Sequence, residues 1–136
     1  MAMQLLIFSD RGDKNGKRLE AAVHKVIPKG QIEHFQSLED FRERLRKPVK
    51  PDSVAVLMAS NREGLQQMQL LRGLLTEIYV VLVLPDLQKG TIRIAHHLLP
   101  RFLSQKDSDF ADLKKVLNKM YLNSLSSHNG EISRRS

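Results

Sequence analysis

The chain has 136 residues, 41% of them hydrophobic and 27% charged, with no cysteine, which suits one globular core and excludes disulfides, thiolate nucleophiles and zinc–thiolate sites. Its formal net charge of +7 raises nucleic acid, anionic surfaces and acidic proteins as partners. The basic Arg42, Arg44, Arg46, Lys47 and Lys50 are, however, interleaved with Glu33, Glu39, Asp40 and Glu43, as on a solvated helix face.

The opening MAMQLLIFSD lacks a basic n-region and its apolar run stops at Phe8. It is too short for a signal peptide or a membrane span, so a cytoplasmic protein without membrane contact is expected. Gln4 to Ser9 is the first predicted strand, running into DRGDKNGK. A helix then starts near Gly16, with Leu19, Ala22, Val23, Val26 and Ile27 at helical spacing until Pro28 and Gly30. Gln31 to Gln36 alternates apolar and polar residues, which predicts a strand near the sheet edge. Ser37 caps a short helix carrying Leu38, Phe41 and Leu45, with Asp40 as its capping-box partner.

Ser53 to Ala59 and Ile78 to Leu84 are nearly continuous apolar runs, as strands buried on both faces must be. Between them, Asn61 to Thr76 spaces Leu65, Met68, Leu71, Leu74 and Leu75 as a helix, with Ser60 or Asn61 to cap it. A fourth helix is predicted over Lys89 to Leu98 and a short strand over Arg101 to Ser104. The last helix begins near Ser108 or Asp109 and aligns Phe110, Leu113, Val116, Leu117 and Met120. The polar residues 123–136 lack periodicity and are expected to form a disordered tail, leaving 1–122 as the domain. Alternating strands and helices predict a three-layer αβα architecture around a five-stranded parallel sheet, with function at the carboxyl ends of the strands.

Most motifs there carry little chemistry. GDKNGK, Gly12 to Lys17, follows a strand and opens a helix, but it is one residue short of a nucleotide-binding loop and Arg18 replaces the magnesium-binding hydroxyl. Lys14 and Lys17 leave a weaker anion-holding role, and a polar turn is the preferred reading. Adjacent His96 and His97 point about 100° apart on a helix and do not grip one metal in the i,i+4 manner. Ser60 has no GxSxG elbow around it, which argues against a hydrolase. Met58, Met68 and Met120 fall on apolar faces and read as core. Neither a cofactor nor a metal is expected, and the chain is not expected to be an enzyme.

The phrases QLLIFSD, PDSVAVLMASNREGLQQMQLLRGLL and LPRFLSQKDSDFADLKKVL, with the order of elements, resemble the receiver domain of bacterial two-component response regulators over about residues 4 to 122. The resemblance implies a flavodoxin-like, doubly wound (βα)5 fold. It also implies five roles: two acidic residues after the first strand to hold magnesium, an aspartate closing the third strand, a Ser or Thr closing the fourth and a Lys closing the fifth. The acidic pair here is Ser9 and Asp10, leaving one carboxylate. Leu57 or Met58 stands at the acceptor, Leu84 at the hydroxyl, and Gln105 at the lysine, with Lys106 one residue out of register. Four of the five roles are altered, so the resemblance implies a pseudo-receiver that docks onto a protein partner or dimerises without aspartyl phosphorylation. Its partner surface would be the face of the fourth helix, fifth strand and fifth helix, with Arg93, Ile94, His97, Leu98, Arg101 and Lys106. Nucleic-acid or polyanion binding through the basic surface is the alternative.

Overall fold

Strands of four to six residues alternate with helices along the whole computed structural model, which describes residues 3–50 and 52–135. In chain order they are β1 (Leu5–Phe8), α1 (Lys14–His24), β2 (Ile32–Phe35), α2 (Leu38–Leu45), β3 (Val54–Met58), α3 (Arg62–Met68), β4 (Tyr79–Leu84), α4 (Lys89–His96), β5 (Phe102–Gln105) and α5 (Ala111–Arg135). Short 3-10 turns lie at Lys29–Gln31 and Gln69–Leu74. The five strands form one parallel sheet in the order β2-β1-β3-β4-β5. The winding therefore reverses between β1 and β3, and β2 is an edge strand, as its alternating pattern predicts.

Period-2 alternation divides the sheet's side chains between two cores. Leu6, Phe8, Leu57, Leu82 and Leu84 pack with Phe41, Leu65, Met68, Ala95 and Leu98 beneath α2, α3 and α4. Leu5, Ile7, Val56, Met58, Val81 and Val83 pack with Leu19, Val23, Leu113 and Leu117 beneath α1 and α5. Each buried Val, Leu, Ile, Phe or Met side chain among them contributes about 1.5–3 kcal/mol by leaving water, so the two layers supply the folding drive.

Helix starts follow side-chain caps. Asp13, Ser37 and Asn61 accept the backbone amides of Asn15, Asp40 and Gly64 respectively. Asp13 thereby starts α1 two residues earlier than Gly16. The helix expected over Asn61 to Thr76 is instead α3 followed by a 3-10 stretch, because Leu65, Met68, Leu71 and Leu74 recur every three residues, the period a 3-10 turn keeps on one face. The fifth strand lies one residue later than expected, although the Arg101 amide still donates to the Val80 carbonyl at 2.7 Å.

The helix of α5 runs on through Arg135 instead of ending near Leu122. Ser124, only 5% exposed, anchors the extra turn: its hydroxyl donates to the Tyr121 carbonyl at 2.7 Å and accepts the Met3 amide at 3.3 Å. Phe110, just before α5, has a left-handed φ of 61° yet is 2% exposed. Its ring carries the Arg18 guanidinium at 5.1 Å, and its amide donates to the Ser108 hydroxyl. Burial of the ring offsets the strained backbone.

Candidate functional site at the strand ends

The register of the sheet brings Ser9, Met58, Leu84 and Gln105 to one edge. Phe8 pairs with Leu57, so Ser9 is level with Met58, while Leu84 pairs with Gln105. Leu57 points into the α2–α4 core and Met58 into the α1–α5 core, both without exposure. Of the two residues considered for an acceptor, Met58 is thus the one level with Ser9. Leu84 is also fully buried. Ser9 is 3% exposed, and its hydroxyl lies against the backbone of Gly16, where an added Cβ would be 2.6 Å from Oγ.

Polar side chains after the strands are engaged with one another. The Ser60 hydroxyl donates to Asp13 Oδ2 at 2.6 Å, while Asp13 Oδ1 accepts the Asn15 amide at 2.9 Å. Lys106 Nζ donates to the Ser60 carbonyl at 3.1 Å, and its backbone amide to the Leu84 carbonyl at 2.9 Å. Lys106 therefore turns toward the β3–α3 loop, away from the helix face on which the sequence placed it. GDKNGK is a capped helix start: the Asp13 carboxylate already takes an amide at the position where a bound anion would sit.

A second network ties α3 to α4. Arg62 Nε donates to Thr91 Oγ1 at 3.1 Å and Arg62 Nη2 to Gln88 Oε1 at 3.1 Å. Asp86 Oδ1 accepts the Gln88 amide at 3.0 Å. Hydrogen bonds from the Thr91 side chain and the Gln88 amide, with the nearby cations Arg62 and Lys106, hold the Asp86 carboxyl below its ordinary value of 3.8. Gly90 lets Arg62 approach, since a Cβ there would fall 2.9 Å from Nη1. Asp13, Arg62, Asp86 and Thr91 escaped the sequence reading; an Asp at a cap position, four residues before the helix formers Lys17 to Ala22, was the signal available for the first of them.

Asp10, exposed, borders a separate cleft of about 180 Å³ between α2 and α3, with Phe8, Leu38, Glu63 and Met68 among its lining. A magnesium ion takes several oxygens converging on one point. With Asp10 at the rim of that cleft and Asp13 committed to Ser60 and Asn15, the strand-end donors do not fit one, and no group of three potential metal ligands gathers among the described residues. Met58 and Leu84 place apolar side chains at the ends of β3 and β4, and Lys106 is held by the Ser60 carbonyl.

The residues expected to form a partner face differ in exposure. Leu98 is 3% exposed and belongs to the core, because it continues the buried side of α4 marked by Thr91 and Ala95. Arg93 and His97 are exposed and Ile94 is half-buried, while Arg101 stacks over the Tyr79 ring at 4.6 Å. Gln69 fixes the end of α4, its Nε2 lying 3.2 Å from the Ile94 carbonyl and 3.0 Å from His97 Nδ1.

Comparison of the fold with solved structures finds the N-terminal domain of an uncharacterized protein from Wolinella succinogenes, at 15% identity and a TM-score of 0.65, covering 93% of this chain and 99% of that one. The phosphorylated cyanobacterial phytochrome response regulator RcpA is similar at 14% identity and a TM-score of 0.60, over 93% and 96% of the two chains. A signal receiver domain from Mycobacterium tuberculosis is similar at 16% identity and 0.55, over 88% and 98%. These likenesses establish the flavodoxin-like, receiver-like fold. No protein-family model and no curated protein matches the chain.

Proposed function

We propose that this chain is a receiver-fold regulatory module that docks onto a protein partner and works without aspartyl phosphorylation. The observation that carries the reading is Met58: fully buried, level with Ser9, at the end of the central strand where the receiver mechanism has its phosphate-accepting carboxylate. A thioether forms no acyl phosphate. The surrounding positions support the same reading. Ser9 and Asp10 leave one carboxylate for magnesium, Leu84 has no hydroxyl, Gln105 has no ammonium, and Lys106 is held by the Ser60 carbonyl. The strand-end network then serves to fix the loops that a phosphoryl group would otherwise organise.

The test is incubation of the full chain with acetyl phosphate and magnesium, followed by intact mass measurement and by partner capture before and after treatment. No phosphoryl mass gain, with capture of the same protein in both states, is expected. A gain of one phosphoryl mass that hydroxylamine removes, as it does from an acyl phosphate, or capture that appears only after treatment, overturns the proposal.

A further inference from the structure

Away from the strand ends, helix α1 and the edge strand β2 bring two imidazoles together. His24 closes α1 and Glu20 lies four residues earlier, so the two share one helix face. On β2, Glu33 turns toward α2, where Arg44 Nε holds it at 2.9 Å, and Phe35 packs into the same layer. The alternate residues point the other way: Ile32 packs into the α1–α5 core and His34 meets His24.

The two Nε2 atoms are 3.1 Å apart, with ring centroids separated by 5.1 Å and planes tilted 17°. Rings stacked face to face would not leave their centroids so much farther apart than their nearest nitrogens. The imidazoles instead meet edge to edge, Nε2 toward Nε2. On the far side of His34, Glu20 Oε1 lies 3.6 Å from Nδ1. A proton on Nδ1 is favoured by that carboxylate and leaves the Nε2 lone pair free for a ligand role.

We propose that His24 and His34 form a binding site for a borderline divalent transition metal such as Zn2+, with Glu20 as the carboxylate behind the His34 ring. Two nitrogens each about 2.0–2.1 Å from one tetrahedral ion stand about 3.3 Å apart. The 3.1 Å separation is therefore near the bite of such an ion, and binding needs only small ring rotations at an exposed site. In the metal-free pair, one ring must donate a proton to the other; the ion takes the place of that proton. No third protein ligand joins them among the described residues, so water fills the remaining positions. Imidazole donors select zinc, nickel and copper over magnesium and calcium, which separates this site from oxygen-ligand chemistry at the strand ends.

Titration calorimetry of the untagged full chain with zinc chloride tests the site, comparing the parent protein with His24→Ala, His34→Ala, Glu20→Gln and His97→Ala. One zinc per chain is expected. Both His24→Ala and His34→Ala should weaken it by more than the roughly 10-fold loss expected for Glu20→Gln, an outer-sphere change. His97→Ala should leave it unchanged. Circular dichroism checks that the exposed substitutions preserve the fold. Absence of zinc binding by the parent chain, or binding that survives either histidine substitution, overturns the proposal.

Discussion

Gly16 shows how closely single residues are fitted at the strand ends. It lies in the first turns of α1, where alanine is ordinarily the better helix former, yet its Cα faces Ser9 so closely that an added methyl would meet Oγ at 2.6 Å and the Ser9 Cβ at 2.9 Å. Overpacking of this kind costs about 1–3 kcal/mol, more than the propensity gain of about 1 kcal/mol returns. Gly16→Ala is therefore expected to lower the denaturation midpoint. Ser9→Ala in the same chain should restore little, because the Ser9 Cβ remains in the way, whereas Ser9→Gly should restore more. Urea denaturation of the four proteins checks the order; a Gly16→Ala chain as stable as the parent would refute the close approach. Ser9 has a packing role here whatever else it does. The sequence conveyed its place after β1 but not its contact, since that depends on the angle at which α1 returns across the sheet.

At the scale of elements, the buried central strands and the helix faces were legible because β3 and β4 are continuous apolar runs and Leu19, Ala22 and Val23 recur with helical period. What escaped was tertiary. Nothing local in Arg62 announces that it reaches Thr91, 29 residues away, and nothing in the polar stretch after Asn123 announces that Ser124 meets Met3. Such pairs become visible only after α3 and α4, or α5 and β1, are packed together. The Asp86 turn is the testable piece. Thr91 and Gln88 hydrogen bonds, with Arg62 and Lys106 nearby, hold the folded carboxyl below 3.8. A carboxyl depressed on folding stabilises the native state above its unfolded value, and that contribution fades as pH falls through the lower folded value. Asp86→Asn should therefore be less stable than the parent at neutral pH, with the gap closing as pH drops below the ordinary carboxylate range. Thermal melts from pH 7 to pH 2.5 measure it, and a gap that stays constant would mean the ionised carboxylate contributes nothing. The site is solvent-facing, so added salt should shrink the effect.

For the whole molecule, the proposed docking function raises the question of which face would meet a partner, the strand ends being closed by their own contacts. The net charge of +7 is not free surface charge alone: Arg44 and Arg46 are paired with Glu33 and Glu43, Arg18 lies over Phe110, and Arg62 and Lys106 are bound into the strand-end networks. On the α4–β5 side, Arg93 and His97 are exposed beside half-buried Ile94, with Arg101 on Tyr79. A cationic patch with a small apolar centre suits an acidic partner surface, where complementary charge speeds encounter and selects the partner. Arg93→Glu combined with Arg101→Glu reverses that charge. The loss of the Arg101 stack over Tyr79 costs about 0.5–1 kcal/mol at an exposed site, small against the roughly 5–15 kcal/mol of a typical domain. The variant should therefore keep its circular dichroism spectrum while losing partner capture and any self-association seen by light scattering. Lost capture from a folded variant would place docking on α4 and β5. Unchanged capture and association would remove that face from the mechanism and leave the cleft between α2 and α3 as the next surface to probe.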